Sequence, residues 1–277
     1  MPKNKLTDNS TDVNFCENVN PNLISEIIPL FLSLEKDELI KLYDFFKRSF
    51  ENFEHYRDIP LSEIEELVNL PINLVNEKYQ FADNLHHVGV DIPVWLSKKG
   101  NNKKAFICAM DPLRSCNFNN QVSIWTPFSI STYMAYPHEK MVKNYWPFLQ
   151  TLLNTADIYL TDIFKVYYQR DLKGGKTIAS NKDKEFKKGN LLELHGDIIK
   201  KEIDLYKPDV IITLGGDAYK EIYKLRNYTG ATPIIALPHL SYAAGGAKKK
   251  FILSNKYEYQ SNCTAETIAK IVISKHL

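Results

Sequence analysis

Four apolar runs mark the last two thirds of the chain: residues 104–110 (KAFICAM), 157–161 (DIYLT), 209–214 (DVIITL) and 233–237 (PIIAL). Each is short and rich in Ile, Val, Ala and aromatics, the pattern of a strand buried on both faces. Helical stretches are expected between and after them, at about 139–155, 191–206, 217–228 and 264–275. Alternating strand and helix predicts an α/β fold with a parallel sheet and helices on both faces. Such sheets bind ligands beyond the carboxyl ends of their strands. The runs end in Asp111-Pro112-Leu113, Asp162, Gly215-Gly216-Asp217 and His239-Leu240-Ser241, so these groups are expected on one rim.

The front of the chain follows a different pattern. Leu30, Leu34, Leu42, Phe45 and Phe46 fall near helical spacing with charges between them, which predicts a helix over 23–56. A second helix is expected over 61–70. Ser62 and Glu65 form its capping box, and Pro71 ends it. Residues 71–103 are mixed and broken by Gly89, Pro93 and the Lys-Lys-Gly-Asn-Asn stretch at 98–102. Three segments follow: 1–20, Asn/Asp/Thr-rich and expected to be disordered; 21–90, an acidic helical extension; and 91–277, the α/β core. The lysine-rich segment 173–190 is expected to be a mobile loop.

Charge sharpens the division. Residues 1–90 hold 8 Lys/Arg and 16 Asp/Glu, and the remainder holds 27 and 17, so a net −8 precedes a net +10. A basic back half points to a polyanion, with ordinary solvated surface as the plainer reading. The four cysteines, Cys16, Cys108, Cys116 and Cys263, form no C-x-x-C pair, so no disulfide framework, zinc site or iron–sulfur cluster is expected. No run approaches membrane-spanning length, and the polar first residues lack the pattern of a secretory signal, so an intracellular, cytoplasmic setting is expected.

Singly, each rim motif is weak. An Asp-Pro is often a turn, a Gly-Gly often serves the backbone, and a lone His is often structural. Together, A-M-D-P-L-R-S, T-P-F-S, Y-L-T-D-I-F-K, V-I-I-T-L-G-G-D-A and P-H-L-S over about 104–245 resemble the uracil-DNA glycosylase superfamily. The resemblance implies a three-layer α/β/α sandwich around a central, mainly parallel four-stranded sheet, here with the N-terminal helical extension. It implies a monofunctional DNA glycosylase that flips out a base and removes it hydrolytically, with DNA as partner and with no metal and no cofactor.

Carried over by position, Asp111 would place the water and stabilise the positive sugar, and His239 would hydrogen-bond the leaving base. Phe128 would stack on the base, its plainer reading being a core aromatic. Asp162 stands where the family's base-reading Asn stands, and Leu113 stands where some members carry a bulky Tyr. Ser241, with Leu240 and Tyr242, would grip a phosphate and press into the duplex. Arg114, Lys165, Lys248 and Lys249 would contact phosphates. An ionised Asp only accepts hydrogen bonds, so Asp162 favours an amino-bearing base over plain uracil, and Leu113 leaves room at C5. The leading reading is therefore an aberrant or modified base such as a C5-modified cytosine. A conventional uracil-DNA glycosylase, a catalytically inactive nucleic-acid-binding protein of the same fold, and a Rossmann-like nucleotide enzyme using Gly215-Gly216 stand as alternatives. Genome repair and defence against foreign DNA are both open. The extension could meet a protein partner or pack on the core.

Overall fold

The computed structural model describes residues 12–17, 20–51, 59–79, 85–110, 121–132, 140–172, 176–179 and 191–277. The four apolar runs form β5 (Lys103–Ala109), β7 (Ala156–Asp162), β10 (Val210–Leu214) and β11 (Ile234–Leu237), parallel neighbours in the order β7-β5-β10-β11. Two antiparallel strands widen this sheet to six: β4 (Val94–Lys98) pairs with β7, and β1 (Val13–Phe15) pairs with β4. β5 comes first of the four in sequence and lies inside the sheet. The chain leaves it for β7 on one side and later returns to β10 on the other. In sheets with such a reversal the ligand site lies beyond the carboxyl ends of the strands.

The helices flanking the parallel strands are α3 (Lys140–Leu152), α4 (Leu191–Tyr206), α5 (Gly216–Tyr223), α6 (Arg226–Thr229), α7 (Gly245–Ser254) and α8 (Thr264–His276). α3, α4 and α8 stand where the apolar pattern places them. The stretch expected at 217–228 is divided into α5 and α6. α7 was not expected, because its Gly-Gly start and lysine run carry no apolar stripe.

A second, five-stranded sheet was also not expected. Its order is β2 (Asn69–Pro71), β6 (Gln121–Trp125), β3 (Leu85–Asp91), β8 (Val166–Leu172) and β9 (Lys176–Ala179). β9 falls inside the segment read as a loop. It is held there by antiparallel pairing with β8, and residues 173–175 and 180–190 lie outside the described residues.

Near the front, one long helix gives way to two helical turns over Leu23–Leu30 and then α1 (Lys36–Glu51). Pro29 stands in the second turn, and residues 31–33 instead hydrogen-bond to the 74–76 segment. α2 (Leu61–Val68) begins after Pro60, so Ser62 lies inside the helix and the capping box is not formed. The expectation of disorder over 1–20 is corrected at residues 12–17. Phe15 of β1 is fully buried and stacks on Phe50 with ring centroids 4.6 Å apart. Phe50 meets Trp146 of α3, Phe46 meets Trp125, and the Tyr43 hydroxyl donates to the Pro93 carbonyl at 2.8 Å. Helix α1 thus shares one apolar core with the sheet.

Candidate active site

The rim forms where the ends of β5 and β7 are stitched together. Beyond their paired residues Ala109 and Asp162, the Ile163 and Phe164 amides donate to the Ala109 and Met110 carbonyls at 3.0 and 2.9 Å. Met110 is the last described residue before Asp111. Asp111, Leu113 and Arg114 lie outside the described residues, as does the side chain of Tyr242. Asp162 ends β7 almost wholly buried.

Below Asp162 lies a buried charge cluster. The Lys165 ammonium donates to both Glu202 carboxylate oxygens, at 2.7 and 2.8 Å, and to the Asp162 carbonyl at 2.7 Å. It also bonds the Thr161 hydroxyl. Glu202 further accepts from the Tyr159 and Thr161 hydroxyls, both at 3.2 Å. Both charged side chains are fully buried. The phosphate role expected of Lys165 is therefore corrected: Glu202 draws its ammonium inward, and it ties down the strand end that carries Asp162.

The second sheet brings Phe128 to the same rim. Val90 of β3 pairs with Ile124 of β6 on one side and Val166 of β8 on the other. The end of β6, which leads into Phe128, therefore lies level with the start of β8, which follows Lys165, with β3 between them. The turn after β6 is fixed by a hydroxyl pair. Thr126 Oγ1 accepts from the Ser131 amide at 3.1 Å and donates to the Ser131 hydroxyl at 3.0 Å. Within this turn Phe128 and Ser129 take φ of 57° and 52°. That region costs a non-glycine residue on the order of 1–3 kcal/mol and persists only where its surroundings impose it. Here it aims the Phe128 ring at Tyr145 of α3. The two rings stack with centroids 4.0 Å apart and planes 11° apart.

His239 completes the group from the far side of the sheet. Gly215, just past β10, has a φ of +97°, and a Cβ there would lie 3.7 Å from the His239 ring. The positive φ, and not the ordinary contact that a Cβ would make with His239, is what calls for glycine at 215, and Gly216 has open space around it. His239 Nδ1 accepts from the Ser241 amide at 3.3 Å, and Nε2 lies 3.2 Å from the Tyr145 hydroxyl. Burial, and then the nearby Lys248 ammonium, lower the His239 pKa below its ordinary value. A neutral ring that accepts at Nδ1 carries its proton on Nε2, facing Tyr145.

Two further expectations are corrected around His239. Leu240 is buried in the core, so it cannot press into a duplex. Lys248 is buried and donates to the Leu240 carbonyl at 3.0 Å, closing the 239–241 loop rather than offering its charge to a phosphate. Lys249 and Lys250 are exposed beside it, with the Lys249 ammonium 5.5 Å from the centre of the Tyr259 ring. Ser241 is half-buried at the mouth of the loop. Among the described residues, no three His, Cys, Asp or Glu side chains group to hold a metal ion, and no helix is long and apolar enough to cross a membrane.

Tyr145 was missed from sequence. In the run Tyr145-Trp146-Pro147-Phe148 it reads as one more core aromatic. No local signal separates it from its neighbours, because its partners Phe128 and His239 are distant in sequence. Glu202 was hidden for the same reason.

Fold and rim together define an α/β protein whose large sheet ends in Asp162 and leads to His239, with Phe128 and Tyr145 stacked beside His239. The family model of the uracil DNA glycosylase superfamily matches residues 138–260, a segment that holds Tyr145, Asp162, His239 and Ser241. The match bears out the resemblance to the superfamily and supports a DNA glycosylase at the level of class, while the motifs at Asp111 and Phe128 lie outside the matched residues. The crystal structure of wild-type Pedobacter heparinus SMUG2 is similar to 64% of this chain and 76% of that chain, at 16% identity and a TM-score of 0.41. Among curated proteins no relative matches.

Proposed function

We propose that this chain is a monofunctional DNA glycosylase that removes an amino-bearing or C5-modified base, with a modified cytosine as the leading candidate. The observation that carries the reading is His239 Nε2 held 3.2 Å from the hydroxyl of Tyr145, whose ring stacks on Phe128, with Asp162 ending a strand of the same sheet. Breaking a glycosidic bond places positive charge on the sugar and negative charge on the departing base. A preorganised N–H aimed at the base stabilises the second without moving a proton first. Asp111, which directly follows Met110 at the rim, is assigned to the water and the sugar cation.

Asp162 is assigned to the base edge. A carboxylate accepts from an exocyclic amino group and repels a carbonyl, a difference of about 1–3 kcal/mol for a well-made contact. The Lys165–Glu202 cluster beneath fixes where that carboxylate is presented. Extruding the base costs a few kcal/mol, which stacking on an aromatic ring offsets in part at roughly 1–3 kcal/mol per base. The exposed Lys249 and Lys250, and the net positive back half, supply attraction for phosphates that weakens as salt rises.

The test is excision from oligonucleotides carrying uracil, hypoxanthine, cytosine and C5-modified cytosines, with EDTA present and alkaline cleavage of any abasic product. Excision of an amino-bearing base is expected, with about a hundredfold or greater loss in Asp111→Ala and in His239→Ala. Asp162→Asn is expected to move preference toward uracil. Excision that collapses in EDTA, or that survives both alanine changes, would refute the assigned chemistry. Strong uracil excision indifferent to Asp162→Asn would remove Asp162 from base reading.

A further inference from the structure

We infer that Tyr145 occupies the space of the excised base in the free protein, and that a flipped base enters by displacing its ring. The inference rests on the glycosylase reading and deepens it. Under that reading three groups should touch the base: a platform on its face, a donor at its oxygen and a carboxylate at its edge. The platform and the donor already meet at Tyr145, and the carboxylate acts on it through its charge. Its ring stacks on Phe128 at 4.0 Å, its hydroxyl lies 3.2 Å from His239 Nε2, and the Asp162 charge reaches its phenol, adding to burial in raising that group's pKa. A six-membered ring with one polar atom at its rim reproduces the outline of a pyrimidine with its carbonyl oxygen. A base and the phenol cannot fill that slot together.

The support of Tyr145 suits displacement. It lies in α3, where side chains use two main χ1 wells, so a second orientation needs no change of fold. Pro147, two residues on, removes the amide bond that would reach back to the Lys143 carbonyl, loosening the helix around Tyr145. The Thr126–Ser131 bonds hold the turn that carries Phe128 while the phenol leaves. The ring then acts as a competitor. Apparent affinity for a base falls by the fraction of molecules in which the slot is vacant. Tyr145 would thus set which bases enter, favouring a single ring that replaces both its stacking and its bond to His239.

The opposite arrangement, in which Tyr145 is a fixed wall and the base lies elsewhere, predicts the reverse response. The test is ligand-observed NMR titration of the full-length protein and its Tyr145→Ala variant with three probes: phenol, free cytosine and free uracil. Phenol is expected to bind the variant and not the parent, showing the vacated slot. Cytosine or uracil is expected to bind the variant at least about tenfold more tightly than the parent. Phenol binding with no gain for either base would overturn the inference.

If the variant shows no cooperative melt or takes up no phenol, Tyr145→Phe decides. That variant keeps the ring and frees His239. With an oligonucleotide holding a hydrolysis-resistant 2′-fluoroarabino nucleotide beside 2-aminopurine, a several-fold larger flipping signal than the parent's is expected. An unchanged or smaller signal would overturn the inference. Excision by the parent with no gain for Tyr145→Ala rejects the displacement and keeps the glycosylase. A gain with no excision by the parent keeps the displacement and rejects the catalysis.

Discussion

Replacing Lys165 with methionine removes one charge from a pair that water does not reach and leaves Glu202 behind. Losing one partner of such a pair costs about 3–5 kcal/mol, because the remaining charge stays desolvated. Glu202 retains bonds from Tyr159 and Thr161, which argues for the lower end of that range. In a domain of this size 1 kcal/mol moves Tm by about 2–4 °C, so a fall of roughly 6–12 °C is expected. The pH dependence fixes the cause. Burial already raises the Glu202 pKa, against the opposing pull of Lys165, and removing the lysine raises it further. The folded variant then binds a proton that the unfolded chain does not, so its stability rises as pH falls from above that raised pKa. The deficit should shrink between about pH 8 and pH 5.5, and the Lys165→Met/Glu202→Gln double variant should recover most of it at both. Urea unfolding followed by the fluorescence of Trp95, Trp125 and Trp146 measures each difference. A deficit under about 1 kcal/mol at the higher pH, or one that grows toward acid, would refute the reasoning.

His195 is buried against Tyr79 and Phe164, and burial, then Lys165, lowers its pKa to about 3. Its unfolded value is about 6.5, so the unfolded chain takes the proton first, and stability drains away as pH falls below about 6.5. By pH 4.5 the loss is on the order of 2–3 kcal/mol, and a His195→Gln variant should show a flatter acid limb in melts across pH. Gly215→Ala forces a Cβ into a φ of +97° beneath His239, so a loss of about 1–2 kcal/mol and a slower excision rate are expected together. Phe15→Ala should cost about 3–5 kcal/mol in denaturant titrations, since the ring is wholly enclosed and stacked on Phe50.

The parallel strands were legible because each is apolar on both faces and needs no partner to be recognised. Val210–Leu214 is buried at every position. The second sheet was not, because strands such as Val166–Leu172 mix aromatics with Gln, Arg and Asp. They become strands through pairing with β3, far back in the chain. The site divides along the same line. Asp162 and His239 could be placed on a rim because strand ends are local signals. The fates of Lys165 and Leu240 could not be read locally. A lysine in a motif looks like a phosphate contact until Glu202 appears beneath it, and a leucine in a loop looks exposed until Lys248 folds back onto its carbonyl. Phe128 was legible as an aromatic after a strand, but its left-handed backbone and its stacking on Tyr145 are set by tertiary contacts alone.

The large sheet ends in β1 on one side, three residues long, and in β11 on the other, four residues long with Pro233 and Pro238 at its two ends. Unpaired strand edges are where a second chain can add itself and begin aggregation, and brevity with flanking prolines denies it the run of amides it needs. The same blunting gives His239 its setting. It follows Pro238 off an outer strand, so its loop has a strand neighbour on one side alone. The Lys248 bond and the buried Leu240 side chain therefore hold the loop where a second strand would otherwise do so, and the sheet behind keeps its register.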